Sequence, residues 1–218
     1  EDGERCFINH LGCLADYNKN HIEKKMNEIM KLDLLLFSGY FLLPKLRGEP
    51  LLDIFKLLKK NNISTALDIG DSVEGWSKKI FDELKPILSN TDYFFPNLHE
   101  LKKLTNENNI YKSANKLLDI GVGNVVIKMG SHGSRLISLD NIYKQKAVPI
   151  DVVDTVGAGD VFNAGFIFGL EKGLSKKAAL KLGNRVSAKY ISSKKRVYPS
   201  QSDIEELIDI EGGNKYEW

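Results

Sequence analysis

Apolar residues along this chain fall into short continuous runs, separated by stretches where they recur every third or fourth position. The run at residues 32–40 predicts a strand buried on both faces. Residues 63–69 and 92–95 predict two more strands. Residues 124–128 (Asn-Val-Val-Ile-Lys) predict a β-branched fourth, which turns through 130–133 into a hairpin partner at 134–139. Residues 141–153 predict a further hairpin pair. Helical spacing appears at 19–31, where Ile22, Met26, Ile29 and Met30 share one face, and again at 49–61, 73–88, 161–172, 176–192 and 203–210. Pro86 is expected to break the third of these. Another helix opens at Asn97, and residues 1–14 read as a short strand after an Asp-Gly turn. Strands alternating with helices of this length predict an α/β fold with a mostly parallel sheet covered on both sides. In such sheets ligands bind beyond the carboxyl ends of the strands, so the residues just after each strand are the candidates for chemistry.

Composition narrows the picture only a little. At 218 residues, 42% of them apolar and 28% charged, the chain suits one ordinary α/β domain with a real core. A net charge of +2 gives no argument for a nucleic-acid partner. The longest apolar run, 32–43, contains Asp33, Ser38 and Gly39 and is too short and too polar to span a bilayer. No basic-then-apolar segment opens the chain. Two cysteines, Cys6 and Cys13, do not make a disulfide framework, and a reduced cytoplasmic setting is expected, with no membrane partner.

The densest chemistry lies at residues 153–165, Val-Asp-Thr-Val-Gly-Ala-Gly-Asp-Val-Phe-Asn-Ala-Gly. A β-branched run (148–153) leads in and an apolar helical run (161–170) leads out. The small residues let a backbone turn sharply and let a large anion come close. The following helix aims its free N–H groups and positive dipole end at that turn, which makes an anion hole. Asp160 sits where the helix begins. Like charge makes it a poor phosphate ligand but a sensible acceptor for the proton of an attacking nucleophile. Read alone, Gly-Ala-Gly-Asp is also a tight strand-to-helix turn with Asp as N-cap.

The longer string, Asp-Thr-x-Gly-Ala-Gly-Asp-x-Phe-Asn-Ala-Gly, resembles the C-terminal motif of the PfkB family of carbohydrate kinases, whose fold is ribokinase-like. The resemblance implies a three-layer α/β/α architecture with a small β lid, and ATP-dependent phosphorylation of a hydroxyl on a sugar or related small alcohol. It implies Asp160 as catalytic base and the N–H groups of Gly157, Ala158 and Gly159 as the anion hole. Family members carry an additional N-terminal portion, so the chain is expected to be the C-terminal part of a longer kinase, a single kinase domain over 1–218 with a lid remnant at 1–18. Phe7 and Asn9 in that remnant, and Asp68 after the second strand, are then expected to touch substrate. Each also has a plain reading: ordinary strand alternation for the first two, a turn-forming acid for Asp68.

Asn97 and Glu100 after the third strand suit a capping box. The same pair resembles the family's Asn-x-x-Glu motif, which implies a nucleotide role for Asn97 and a water-mediated Mg²⁺ role for Glu100. The loop after 124–128 implies nucleotide contacts from Lys128, Gly130 and Gly133, and Asn184 falls where the family lines its adenine pocket. Asp154 either fixes the turn or, as the resemblance implies, helps hold a monovalent cation such as K⁺. A homodimer joined through lid strands follows only by analogy.

The expected activity is therefore phosphoryl transfer from MgATP. No Gly-x-x-x-x-Gly-Lys-Ser/Thr motif is present, which disfavours a P-loop kinase, and no Gly-x-Gly-x-x-Gly follows an early strand. Two alternatives stay open: an ATP-dependent dehydratase of hydrated NAD(P)H on the same fold, and a non-catalytic nucleotide-binding fragment. The sequence names neither the sugar nor the oligomeric state.

Overall fold

The structure, a computed structural model, describes residues 10–72, 74–195 and 197–209. The chain divides into two compact units, residues 1–91 and 92–218.

In the first unit a 3₁₀ turn (Gly12–Ala15) precedes two short helices, α1 (Lys19–Glu23) and α2 (Met26–Ile29). Then follow β1 (Leu34–Ser38), two further 3₁₀ turns, α3 (Glu49–Lys60), β2 (Ser64–Asp68) and α4 (Lys78–Leu88). β1 and β2 run parallel in register from Leu34 opposite Ser64 to Ser38 opposite Asp68. Leu51, Ile54, Phe55 and Leu58 of α3 and Ile80, Leu84, Ile87 and Leu88 of α4 are buried and form half of this unit's apolar core. Arg47 is pinned between Glu74 and Glu83, and Tyr40 donates to Glu83 at 2.5 Å while accepting the Gly48 N–H at 2.8 Å. Burial and the bond to Glu83 hold the Tyr40 phenol well above its ordinary pKa.

Several expectations for this unit need correction. The helix expected over 19–31 is two short pieces. None of Ile22, Met26, Ile29 and Met30 is fully buried, and a short helix without a packed face has little to hold it. Of β1 only Phe37 is buried, so this strand is not covered on both faces; among the described residues it pairs with β2 alone. α4 begins at Lys78, where the Ser77 hydroxyl caps it, and it continues through Pro86. Burial of Ile87 and Leu88 beyond the proline outweighs one missing hydrogen bond. Residues 12–15 are 3₁₀ rather than strand, and 1–9 lie outside the described residues.

The second unit opens with β3 (Tyr93–Phe94), α5 (Leu98–Thr105), α6 (Ile110–Leu118) and β4 (Asn124–Lys128). A 3₁₀ turn (Gly130–His132) leads to β5 (Ser134–Ile137) and β6 (Ile142–Gln145), and the chain closes with α7 (Ala158–Glu171), α8 (Lys176–Ile191) and α9 (Gln201–Asp209). β3 and β4 are parallel, while β4–β5 and β5–β6 are antiparallel. Val125, Val126 and Ile127 are wholly buried, and Phe166 of α7 packs edge-on against Phe95 and Tyr93.

α7 and α8 cross closely. A Cβ on Gly165 would fall 2.9 Å from the Cβ of Val186, one on Gly169 would fall 3.1 Å from the Ala179 Cα, and one on Gly183 would fall 3.0 Å from the Phe162 carbonyl oxygen. Small residues on both helices are what permit this approach. The expected strand at 148–153 is absent. After β6 the chain runs to Gly157 without regular structure; Pro149 has no N–H to offer a ladder.

Candidate active site

At the end of β4 the Lys128 N–H donates to the Pro96 carbonyl at 2.9 Å, and Lys128 bridges to Asn97 across the parallel pair. Asn97 and Lys128 thus lie side by side at the carboxyl ends of β3 and β4, the edge where α/β sheets collect ligands. Asn97 caps α5. Its Oδ1 accepts the Glu100 N–H at 2.8 Å, and Glu100 answers with one oxygen on the Asn97 N–H (2.9 Å) and the other on Asn97 Nδ2 (2.6 Å). Glu100 is 5% exposed. The capping box is complete, and both carboxylate oxygens are engaged in it.

The loop after Lys128 closes on glycines. Gly133 has φ +82°, and a Cβ there would stand 2.0 Å from the Gln145 carbonyl oxygen, so only glycine fits beneath the incoming strand. Gly130, at φ +56°, has open space where a Cβ would be.

Gly157 is the N-cap of α7, with φ +81°. The turn before it is held by Asp154, whose Oδ1 accepts the Val156 N–H at 2.8 Å. The Ala158 N–H donates to the Thr155 carbonyl at 3.1 Å, so this amide, expected in the anion hole, is engaged within the turn. Among the described residues no acceptor faces the N–H of Gly159 or of Asp160; these are the open donors of the helix end. Asp160 is the third residue of α7, it is exposed, and no side chain caps the helix. Reading Asp160 as the N-cap is therefore corrected: glycine occupies that place, because the turn needs a left-handed φ. Lys128 reaches the same spot, its Nζ 3.4 Å from where a Cβ of Gly159 would lie.

A cavity of about 600 Å³ opens here. Lys128, Gly130, Gly133, Ala158, Gly159 and Asn184 all line it, six of the residues singled out from the sequence. One wall is the segment after β6, including Val148, Ile150 and Val152, and the facing wall is Ala188 and Ile191 of α8. The run mistaken for a strand is this apolar wall. Asn184 spends its Nδ2 on the Lys146 carbonyl at 3.1 Å, which ties α8 to that wall. Ser187, which sequence reasoning passed over, donates to the Ala158 carbonyl at 3.0 Å. Its only signal is its place one turn beyond Asn184.

Asp68 ends β2 in the first unit, is 6% exposed, and accepts the Gly70 N–H at 3.3 Å. Phe7 and Asn9 lie outside the described residues.

Together these features define an α/β protein with parallel strand ends, an open helix N-terminus and a lysine converging on one mainly apolar cavity. The sequence profile of the pfkB family carbohydrate kinases matches residues 1–203, and the chain belongs to that family. It is 38% identical over 117 residues to an uncharacterized sugar kinase of Archaeoglobus fulgidus, a match covering 53% of this chain and 46% of that one. It is 29% identical to the ribokinase of Arabidopsis thaliana, over 86% of this chain and 50% of the relative. Among solved structures, Thermotoga maritima ribokinase superposes with a TM-score of 0.77 at 25% identity, covering 95% of this chain and 66% of that one. Arabidopsis ribokinase complexed with ribose and ATP gives 0.71 at 23% identity, over 85% and 59%. The fold is accordingly ribokinase-like, and the chain spans about half the length of the curated relatives it matches. Among the described residues, no helix is long and apolar enough to cross a membrane.

Proposed function

We propose that the chain serves ATP-dependent phosphorylation of a hydroxyl group on a sugar or related small alcohol. The observation that carries this reading is the meeting of Lys128 with the open N-terminus of α7 at one end of a cavity whose other walls are mainly apolar. A triphosphate suits the charged end and a nucleobase suits the walls. The relatives' names point the same way, and the Arabidopsis ribokinase structure holds both ribose and ATP.

In this reading the acceptor oxygen attacks the γ-phosphorus as the bond to the β–γ bridging oxygen breaks and ADP leaves. Asp160 takes the hydroxyl proton, a step suited to an exposed carboxylate with no capping duty. The Gly157–Asp160 turn and the Lys128 ammonium face the charge on the transferring group, with the N–H groups of Gly159 and Asp160 as open donors. Preorganised donors of this kind contribute about 3 kcal/mol each to the transition state. Gly130, Gly133 and Asn184 line the nucleotide's cavity, and Asn97 holds Lys128's strand end.

Mg²⁺ enters with the nucleotide as part of the substrate. Among the described residues no group of three His, Cys, Asp or Glu side chains is placed to hold a metal. Both Glu100 oxygens accept hydrogen bonds from Asn97, and a contact with the ion through water leaves that capping box intact. A K⁺ beside Asp154, sugar contacts from Asp68, Phe7 and Asn9, and pairing of two copies through the N-terminal segment belong to the same proposal.

The test is ATP titration by calorimetry together with ADP release against a panel of sugars and nucleosides, on the native polypeptide and on Asp160→Asn. One acceptor that stimulates turnover, lost in Asp160→Asn, supports the reading and names the substrate. Absence of ATP binding overturns it. ATP binding with consumption of hydrated NADH, and of no sugar, moves the assignment to a dehydratase.

A further inference from the structure

One aromatic side chain outside the cavity lining bears directly on the glycine turn. Tyr190, near the end of α8, is 7% exposed. A Cβ on Gly157 would stand 3.3 Å from its hydroxyl oxygen and 3.4 Å from its Cε1, so the edge of the ring lies over the Gly157 Cα. The ring stacks on that of Tyr198, with centroids 5.0 Å apart and planes inclined by 11°.

Tyr198 is itself exposed, and the chain around it is anchored. Asp203 pairs with Lys189 of α8 at 2.5 Å, and the Ser200 and Asp203 side chains cap α9 reciprocally. Arg185 donates to the Leu207 carbonyl at 3.0 Å. α8 grips the same turn at two more points: the Val153 N–H donates to the Ile191 carbonyl at 2.9 Å, and Ser187 holds the Ala158 carbonyl.

We infer that Tyr190, backed by Tyr198 and α9, is a positioning residue that fixes the direction of the open N–H groups at the start of α7. The need is specific. Glycine at φ +81° is free to leave that conformation at little cost, and each departure turns the Gly159 and Asp160 donors away from the cavity. A ring laid on the Cα blocks the departure from outside the cavity lining. The catalytic consequence rests on the kinase reading above; the conformational one does not.

The test uses Tyr190→Leu, Tyr190→Phe and Tyr198→Ala in the full chain, with two readouts. The first is hydrogen exchange of the Ala158 and Val161 amides, whose bonds to Thr155 and Gly157 exist only while the turn holds. The second is kcat and KM for ATP. Tyr190→Leu is expected to speed this exchange at least about tenfold. It should lower kcat by about 10- to 100-fold with KM for ATP within about threefold, because donor alignment matters most in the transition state. Tyr198→Ala moves both readouts in the same direction by less, and Tyr190→Phe, which keeps the ring, stays near the parent. Exchange within twofold of the parent in Tyr190→Leu overturns the inference. Should that variant fail to fold, Tyr198→Ala, a change at an exposed position, decides: unchanged exchange at 158 and 161 overturns it. If the parent protein transfers no phosphoryl group, the kinase reading fails while the exchange readout still decides this one.

Discussion

Lys128 and Gly159 face each other within the second unit: a side chain beginning at residue 159 would stand 3.4 Å from the lysine nitrogen. The end of a strand thereby delivers a cation to the first turn of a helix that already points its positive end there. Lys128→Met is expected to weaken ATP binding about 10- to 100-fold, the range for a charge-assisted hydrogen bond. Gly159→Ala should leave stability unchanged or slightly improved, since alanine favours a helix by up to about 1 kcal/mol over glycine. It should still weaken ATP binding, because the added methyl takes up space beside the ammonium at the anion site. Calorimetric titration beside a thermal melt separates the two effects.

Asp160→Asn should lower kcat by about 10²- to 10⁴-fold, the usual worth of a positioned base. It should leave the dissociation constant for ATP within about threefold, because the carboxylate sits beside the anion site rather than lining the cavity. A matched loss of ATP affinity would assign Asp160 to nucleotide binding instead.

The crossing of α7 and α8 predicts a stability effect. Gly165→Ala places a methyl 2.9 Å from the Val186 Cβ, and Gly183→Ala places one 3.0 Å from both the Phe162 ring and its carbonyl oxygen. Each is expected to destabilise by about 1–3 kcal/mol through overpacking, read from the urea midpoint. Gly173→Ala is a contrasting control, since nothing lies within 4 Å of its Cβ position and only its φ of +75° opposes the change.

Asp203 predicts an acid dependence. The hydrogen bond from Lys189, then those from Ser200, hold its carboxyl far below the ordinary value. A depressed carboxylate pKa adds stability that is fully present above the unfolded value, near 3.8, and is lost as pH falls through the folded one. Between pH 5 and pH 2.5 the parent's melting temperature should therefore fall more steeply than that of Asp203→Asn. Parallel curves would mean that the pair with Lys189 contributes nothing in solution.

Most elements of the second unit were legible because local rules and tertiary packing agree there. The β-branched run at 124–128 is a strand, buried from Asn124 to Ile127 and half-buried at Lys128. Asn97 and Glu100 form the capping box their spacing predicts, and Ser175 caps α8 as expected. Legibility failed where burial overrode pattern. The 19–31 stripe looks amphipathic but packs too little to make one helix, and 148–153 looks like a strand but serves as a wall. Helix α6 carries two signals that the reading above does not take up: an apolar face of Ala114, Leu117 and Leu118, and a cap from Asn109, whose side chain accepts from the N–H groups of Tyr111 and Lys112. In the site, the glycine turn was visible in the sequence because no other residue type supplies it. The supports from Ser187 and Tyr190 were not, since a serine and a tyrosine on a helix announce nothing until the neighbouring helix is known. That Ala158 would spend its N–H within the turn also follows only from the folded geometry.

The glycine seam between α7 and α8 has one more consequence. One helix carries the anion-binding turn, and the other carries Asn184, Ala188 and Ile191 on the cavity wall. With Gly165, Gly169 and Gly183 leaving no slack, the two helices act as a calliper whose jaws are set at one opening. In the proposed reading this gap measures the span from nucleobase to terminal phosphate, so a nucleotide with one phosphate more or fewer meets a fixed length rather than a pocket that adjusts.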